Sequence, residues 1–447
     1  IYLLLPALAI LVLVGGWSIL RPKPCVSDGE KVCLNATTST FAIEDKAKIV
    51  VQVPTQAYGK ALQQLFLTKH PDRSEVFSFV VSQKKGDPLP DISYMTQNEA
   101  ALKYVSLGQV DPILAELWKN NLQWDKSSEL NQDSLRFIPM AGDGFTFIYD
   151  ATVLKRLGVD LKDANSDGLP DAIDTIEKTA AIAKKYLAED KKRVYTSVFP
   201  IQFNEALSFY PLLTSEGWEL FPNHIATQPG FESPAFLKAL QHIADLGASS
   251  IVKSSKIETS KLVWQFDQIL TGKEFLFSMA SDWMFVDAFE ARTKHDVRRA
   301  RFPSVNGNIP SPLLDVKGFV VNSTKYPSAL SEVLRLIRSP EGLALFAKTS
   351  GAAVLVNSSI LNTVKFADEK QKDLALAYIH SVSTPLVALE GNPAVLGFSV
   401  YRQIAILPVV KQVLTGEITP AQAQTTIIAL AEEWIDVNHG YPAEAVK

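Results

Sequence analysis

The sequence predicts a mixed α/β protein with more than one hydrophobic core. Short apolar strands alternate with amphipathic helices along the chain, a pattern that favours a mostly parallel sheet. The chain has 447 residues, and at about 150 residues per domain this length indicates two or three cores, or two lobes built together. No stretch rich in Pro, Ser and Gly separates the two halves. The chain is therefore expected to cross between lobes at short, strand-like connections.

The composition narrows the classes of protein to consider. Hydrophobic residues make up 47% and charged residues 21% of the chain, which is ordinary for a globular protein and excludes wholesale disorder. A net charge of -4 offers no basic field for a phosphate backbone, so nucleic acid is not an expected partner. The two cysteines are too few for a disulfide-dense scaffold, an iron–sulfur site or a zinc ribbon.

Residues 1–20 form an uncharged apolar segment that is followed by Arg21 and Lys23. A helix of about 20 residues spans about 30 Å, the thickness of a bilayer core. The segment is either a retained transmembrane anchor or a signal peptide, and in both cases the rest of the chain is expected to be exported. Residues 21–45 are polar and predict a tether. Within the tether, Cys25 and Cys33 flank a short polar loop and are expected to form a disulfide, the alternative being two free thiols.

The ordered part is expected to begin at a buried strand and to continue as strand and helix in alternation. Residues 135–158 predict an extended apolar strand, Gly-rich in its middle, that ends in a helix. The other predicted strands are 48–54, 74–82, 90–95, 274–279 and 316–322. The other predicted helices are 61–70, 172–186, 233–247, 258–271, 282–293, 326–338, 340–349, 368–381, 400–415 and 419–435. Thr419 and Pro420 supply an N-cap and a first-turn proline for the last helix.

The segment DANSDGLPDAID, residues 163–174, has the spacing of an EF-hand-type calcium loop. Oxygen ligands occupy positions 1, 3, 5, 9 and 12, and the position-7 carbonyl is a further ligand: Asp163, Asn165, Asp167, Asp171 and Asp174, with Leu169 at position 7. Gly168, at position 6, allows the sharp turn between ligands. Four carboxylates within twelve residues repel each other unless they are neutralised, so a structural Ca²⁺ is predicted. The alternative is a polar surface turn whose last aspartate caps the next helix.

Motifs for catalysis are missing from the sequence. The six histidines form no HxH, HExxH or HxxxH pair, so a catalytic zinc site is not expected. The chain has no GxSxG elbow, no Walker A run and no GxGxxG after a strand. A pair of carboxylates would suit a glycosidase, but nothing among 48 acidic residues singles out such a pair. The sequence therefore predicts a protein that is not an enzyme.

A sugar site needs flat aromatic walls, together with carboxylates or amides that accept hydroxyl protons. The segment SMASDWMF, residues 278–285, ends a strand and begins a helix, which places Trp283 where a strand end opens to a cleft. The alternative for Trp283 is packing in the core.

Six segments, in this order, resemble the family-1 extracellular solute-binding proteins of ATP-binding cassette importers, the maltose/maltodextrin-binding branch in particular. They are PDISYMTQNEAALKYVSLGQVDPI (90–113), FIPMAGDGFTFIYDATVLKRLG (137–158), FNEALSFYPLLTSEGW (203–218), FLFSMASDWMF (275–285), VKGFVVNSTKYPSALSEVLRLIRSPEGLALF (316–346) and LGFSVYRQIAILPVVKQVLTGEITPAQAQ (396–424). Each is a degenerate pattern, but together they extend over most of the chain from residue 46 to residue 440.

The resemblance implies a two-lobe, periplasmic-binding-protein-like (type II) fold with discontinuous lobes, joined by a hinge. Lobe 1 would consist of residues 46–140 and 312–345, and lobe 2 of residues 141–311 and 346–447. Carried over from the matched segments, the residues expected to contact ligand in the interlobe cleft are Gln56, Tyr58, Tyr94, Gln97, Asp143, Glu205, Trp283, Phe398 and Arg402. Three of the family's positions differ here: Gln97 replaces an aspartate, Leu207 replaces an aromatic residue, and Phe398 replaces a late tryptophan.

The resemblance implies a monomeric, substrate-capturing component of a carbohydrate importer. It would take up a sugar such as a maltodextrin and deliver it to the importer's permease subunits, while the N-terminal helix holds it at the membrane or is removed on secretion. Two further functions remain open from the residues. One is a surface adhesion or sensory module with the same fold, and the other is a binder of a non-sugar solute.

Overall fold

The fold is a mixed α/β arrangement built on two main β-sheets. This computed structural model describes residues 34–35, 40–84, 86–96, 99–100, 137–190, 209–222, 227–248, 272–281, 286–323, 325–350, 352–354, 363–380, 384–385, 388–389, 392–396, 401 and 404–438. Residues 1–20, Cys25 and Cys33 lie outside these ranges. Within the ranges, no helix is long and apolar enough to cross a bilayer.

Strands and helices alternate along the described chain. Strands β1 to β14 are Leu34–Asn35, Thr40–Phe41, Ile49–Gln52, Phe77–Val80, Ile92–Thr96, Phe137–Gly144, Thr146–Asp150, Phe277–Ala280, Val297–Ala300, Leu313–Val321, Ala353–Val354, Thr384–Pro385, Ala388–Leu389 and Asn392–Leu396. Helices α1 to α11 are Gln56–Lys69, Ala151–Arg156, Ile176–Glu189, Tyr210–Thr214, Pro234–Ala248, Val286–Thr293, Pro327–Arg338, Pro340–Ser350, Glu369–His380, Ile406–Thr415 and Pro420–Asn438.

The large sheet has the strand order β11-β6-β10-β5-β3-β4, with β12 also paired to β10. Strand β3 runs parallel to β4 and β5, whereas β10 runs antiparallel to both β5 and β6. The prediction of a mostly parallel sheet is therefore wrong. The reason is that β10, from late in the chain, lies between the earlier strands β5 and β6 and runs antiparallel to both.

The second sheet has three strands in the order β8-β7-β9, and both of its pairings are antiparallel. All five residues of β7 are buried, as expected for a central strand covered on both faces. Helices α2 and α3 add apolar side chains to the core of this sheet, among them Leu154 and Ala183.

Three further groups of apolar side chains complete the interior. Helices α1, α7 and α8 cover the large sheet with residues such as Leu62, Leu334 and Phe346. A separate helical cluster, built from α4, α5, α10 and α11, has its own core, to which Phe236 and Val410 belong. A small fourth cluster contains Tyr378 of α9.

Most of the described helices were predicted at nearly the observed bounds. The closest agreements are Pro234–Ala248, Pro327–Arg338, Pro340–Ser350 and Glu369–His380. The last helix begins at Pro420, and the hydroxyl of Thr419 accepts a hydrogen bond from the backbone N–H of Gln422 at 3.3 Å. This contact confirms the predicted N-cap.

The end of the predicted tether is packed against α7. Phe41 and Glu44 are buried, with 3% and 4% of their surface exposed. The Glu44 carboxylate accepts the backbone N–H groups of Ser328 and Ala329 at 2.8 and 2.9 Å. Because the first N–H groups of a helix have no partner within the helix, Glu44 caps α7 from a distant part of the chain.

Candidate functional site

Four strands of the large sheet end at the same edge. Strands β3, β4 and β5 are parallel, and β6 points the same way because both β5 and β6 are antiparallel to β10. In open α/β sheets, ligands bind beyond the carboxyl ends of the strands. We call this the carboxyl edge; it is the side of the large sheet at which Gln52, Thr96 and Gly144 end their strands.

The chain passes from the large sheet to the second sheet at this edge. Strand β6 ends at Gly144 and β7 begins at Thr146, so Phe145 alone separates them. The hydroxyl of Tyr378 donates a hydrogen bond to the Gly144 carbonyl at 2.8 Å and accepts one from the Gly144 N–H at 3.0 Å. Tyr378 thus fixes the last residue of β6. The two sheets are joined here by a single residue between two strands; a connection between lobes stays a prediction.

We call the passage of the chain between the two sheets at Phe145 the crossing. One strand of the second sheet, β8, also ends beside it. Thr146 pairs in register with Ala280, the last residue of β8. Arg299 donates to the carbonyls of Ala280 and Ser281 at 3.2 and 3.1 Å, and Thr146 donates to the Ala280 carbonyl at 3.1 Å. These three bonds hold the end of β8, the strand that leads into residues 282–285.

Asp143 and Lys317 form an ion pair beside the crossing. The Lys317 Nζ lies 3.6 Å from the Asp143 Oδ2, and 32% and 19% of the two side chains are exposed. Asp143 lies near the end of β6, where the chain leaves the large sheet, and its role at a hinge stays a prediction. A partly exposed carboxylate next to an ammonium group offers both an acceptor and a donor to a polyhydroxylated ligand.

The two tyrosines predicted to contact ligand, Tyr58 and Tyr94, pack against phenylalanine rings. Tyr58 meets Phe346 edge-on with ring centroids 5.0 Å apart, and Tyr94 meets Phe319 edge-on at 5.3 Å. Tyr94 also lies 5.9 Å from Phe346. These four rings form a closed aromatic group on one face of the large sheet.

Tyr58 lies inside the core and does not face an open surface. Its exposed fraction is 0%, its hydroxyl has no hydrogen-bond partner among the described residues, and burial raises the pKa of that hydroxyl well above its usual range. We therefore correct the prediction that Tyr58 contacts ligand: in this arrangement it is a packing residue. Tyr58 lies in the first turn of α1, on the face of the helix that packs against Phe319 and Phe346. Gln56, the first residue of α1, is exposed.

The remaining residues predicted to contact ligand lie outside the described part of the chain. They are Gln97, Glu205, Trp283, Phe398 and Arg402. Three residues that sequence reasoning missed lie at the crossing: Arg299, Lys317 and Tyr378. Lys317 carried a signal, since it is a charged residue within an otherwise apolar strand segment, VKGFVV. Arg299 and Tyr378 carried none, because their roles depend on strand pairing and helix placement.

The predicted calcium loop closes on itself through hydrogen bonds to its own backbone. Asp163 accepts the N–H groups of Asp167 and Gly168 at 3.1 and 2.9 Å. Asn165 Oδ1 accepts the same Asp167 N–H at 3.0 Å, and Asp171 accepts a further N–H of the loop at 3.2 Å. Gly168 has φ of 82°, the left-handed conformation that the sharp turn requires.

Two cations of the protein lie against the carboxylates of this loop. The guanidinium of Arg301 binds Asp167, and the Lys178 Nζ lies 2.8 Å from the Asp174 Oδ1. Among the described residues, no group of three or more His, Cys, Asp or Glu side chains is arranged to hold a metal. The loop has the donors that Ca²⁺ prefers, but the carboxylates at positions 5 and 12 are paired with Arg301 and Lys178. Calcium binding at this loop stays a prediction.

Comparison with known proteins adds no assignment: no family model matches the chain, and no curated protein matches it in sequence.

Proposed function

We propose that this protein is the extracytoplasmic substrate-binding component of a carbohydrate importer. It captures a sugar, such as a maltodextrin, between two lobes and delivers it to membrane permease subunits without catalysing a reaction. It acts as a monomer, exported from the cytoplasm and either anchored by residues 1–20 or secreted.

The observation that carries the proposal is the meeting of strand ends at the crossing. The carboxyl ends of β3, β5 and β6 share one edge with the point where the chain enters the second sheet, and β8 ends beside that point. A ligand bound there would touch elements of both sheets. Such a ligand stabilises a closed arrangement over an open one in proportion to its preference for the closed form.

The connections between the sheets support a two-lobe organisation. In the described part of the chain, a crossing runs through Phe145, and the chain returns between β9, which ends at Ala300, and β10, which begins at Leu313. Each sheet has its own hydrophobic core. Two cores joined by short segments are what hinge motion between lobes requires.

The chemistry at the crossing supports a neutral, hydroxyl-rich ligand. Asp143 and Lys317 neutralise each other, and the donors of Arg299 face backbone carbonyls and the Thr146 hydroxyl. Asp143 and Lys317 offer an acceptor and donors for sugar hydroxyls, and Gln56 begins the helix that follows β3. Tyr94, the third residue of β5, packs against Phe319 and Phe346. Trp283 follows β8 closely in sequence and is the proposed stacking platform.

The test is a thermal-shift measurement on the purified protein with a panel of mono- and oligosaccharides. A ligand that binds only the folded state stabilises it by about 2.7 kcal/mol at 100 times its Kd. Asp143→Asn should weaken binding of the active sugar by about tenfold or more, because hydrogen bonds to a charged group contribute about 1.5–3 kcal/mol. Asp45→Asn is the matched control, since its side chain is 92% exposed and it precedes β3 at the opposite end of the strand.

Either of two results would overturn the carbohydrate proposal: no sugar shifts the unfolding temperature, or the two variants bind the active sugar equally well. An adhesion or sensory module, or a binder of a non-sugar solute, would then be favoured. A neighbouring pair of permease genes separates the importer from the adhesion module. Release of reducing sugar from oligosaccharides by the purified protein would contradict the absence of catalysis.

A further inference from the structure

A cavity of about 370 Å³ opens between helices of the protein. It lies between α3, the end of α4, α5 and the turn around Asn306. None of the residues that line it belongs to the crossing between the two sheets. Its volume is within the range of small-molecule pockets, about 300–1,000 Å³.

The inner wall of this cavity is apolar. Its apolar lining comes from four separate elements and consists of Ile176, Ala180, Leu212, Ile243, Leu246 and Val305. Ile243 and Val305 are buried, with 1% and 7% of their surface exposed. Walls of this kind favour the apolar body of a ligand, because burying apolar surface contributes about 25 cal/mol per Å².

The polar groups at the mouth of the cavity are acidic. Glu177 and Asp245 are exposed carboxylates, and the Asp245 Oδ1 accepts a hydrogen bond from Gln241 at 2.9 Å. Glu216 contacts two of the residues that line the cavity, His242 and Asn306. No lysine or arginine is present among the described residues that line the cavity.

A hydrogen-bond network links His242, Asn306 and Glu216 beside the cavity. The Asn306 Nδ2 donates to the Glu216 Oε1 at 3.0 Å and lies 3.0 Å from the His242 Nε2. Since a carboxylate only accepts, the Asn306 amide is oriented with its nitrogen toward both partners. The His242 Nε2 also lies 3.3 Å from the Glu216 Oε1.

We propose that this cavity is a binding site for a small organic cation: a primary ammonium or amidinium group attached to an apolar body. The apolar body occupies the wall formed by α3, α4 and α5. The cationic group lies at the mouth, between Glu177 and Asp245. This site is separate from the proposed sugar site, and neither proposal depends on the other.

The test is an isothermal titration of the full protein with phenethylammonium, with neutral 2-phenylethanol as the matched ligand. The ammonium compound should bind several times more tightly than the alcohol. Asp245→Asn and Glu177→Gln should each weaken its binding by about two- to fivefold, the range expected for exposed ion pairs. Glu232→Gln, an exposed carboxylate at a different cavity, should leave binding unchanged.

A second variant fills the cavity without removing a charge. Ala180→Leu places a larger apolar side chain on the wall and should abolish binding while the unfolding temperature shows that the protein is folded. Equal binding of the alcohol and the ammonium compound would overturn the proposal. So would full binding by Ala180→Leu, equal weakening by Glu232→Gln and Asp245→Asn, or no saturable binding of either compound.

Discussion

Glu332 shows how the protein accommodates a fully buried carboxylate. Its side chain is 0% exposed and is held by the His70 Nε2 at 2.8 Å, by the guanidinium of Arg335 at 2.5 Å and by the Phe41 N–H at 3.2 Å. Burial raises the pKa of this carboxyl, but the hydrogen bonds from Arg335 and His70 together outweigh burial, so the pKa lies below its ordinary value of 4.5. The ionised form is therefore the stabilising one.

Glu332→Gln should lower the free energy of unfolding by about 3 kcal/mol at neutral pH, because it breaks a buried ion pair. A carboxyl whose folded pKa is lowered contributes stability above its unfolded pKa and loses that stability as the pH falls through the folded value. The difference between native protein and variant should thus shrink below pH 4.5. Urea unfolding of both proteins over a pH series measures this difference in the free energy of unfolding.

Glu341→Gln is the control. It replaces an exposed acid on the next helix and should change stability by less than about 0.5 kcal/mol. A difference for Glu332→Gln that stays constant at every pH would contradict the explanation.

Tyr378→Phe should destabilise the protein by about 1–2 kcal/mol, because the N–H and carbonyl of Gly144 lose the partner that the hydroxyl supplies. Chemical denaturation measures the effect. Tyr326→Phe, a partly buried tyrosine on the far side of the large sheet from Gly144, serves as the comparison. If the two variants lose the same amount, the hydroxyl of Tyr378 has no special role at the crossing.

Helices were easier to predict from the sequence than the pairing of strands. The period of apolar residues and the caps at Thr419 and Pro420 are local, so α5, α7, α8, α9 and α11 were found close to their observed bounds. Strand β9, with the sequence VRRA, was not predicted, because two of its four residues are charged. The arginines are stabilised there by partners that no local pattern reveals, Asp373 for Arg298 and backbone carbonyls for Arg299.

The candidate site was predictable only in part for the same reason. Asp143 was proposed because its segment resembles a known hinge. Lys317, its partner, comes from 174 positions further along the chain, and the contact depends on the register between β6 and β10. Tyr58 was assigned to the ligand because of its place after the first strand, whereas the packing of α1 on α8 turns it into the core.

Calcium should raise the unfolding temperature if residues 163–174 bind it. The ion would replace Arg301 and Lys178 as the counter-charge of Asp167 and Asp174, and a ligand that binds only the folded state at 100 times its Kd stabilises by about 2.7 kcal/mol. Differential scanning calorimetry in Ca²⁺ and in chelator measures this shift.

Mg²⁺ is the matched ion for that measurement, since it demands stricter octahedral geometry and gives up its water reluctantly. Asp163→Asn should abolish the calcium effect. An unfolding temperature that is the same in Ca²⁺, in Mg²⁺ and in chelator would contradict the predicted site and leave the loop as a surface turn neutralised by Arg301 and Lys178.

The connection of the two sheets through Phe145 has a consequence for the shape of the whole protein. If sugar binding brings the sheets together, the radius of gyration should fall when the active sugar is added, and small-angle X-ray scattering measures that fall. An inactive sugar of the same size is the control, and it should leave the scattering unchanged. Ligand binding without any compaction would contradict hinge closure while leaving the sugar site itself intact.

The late position of β10 in the chain has a consequence for folding during synthesis. Strand β10 lies at the centre of the large sheet and joins β5 to β6, yet it ends at Val321. At about 5–20 residues per second, roughly 10 to 35 seconds pass between translation of β6 and translation of β10. During that interval β5 and β6 have sheet edges with no partner strand, and such edges promote aggregation. We therefore expect the segment before β10 to be prone to aggregation until this central strand has been made.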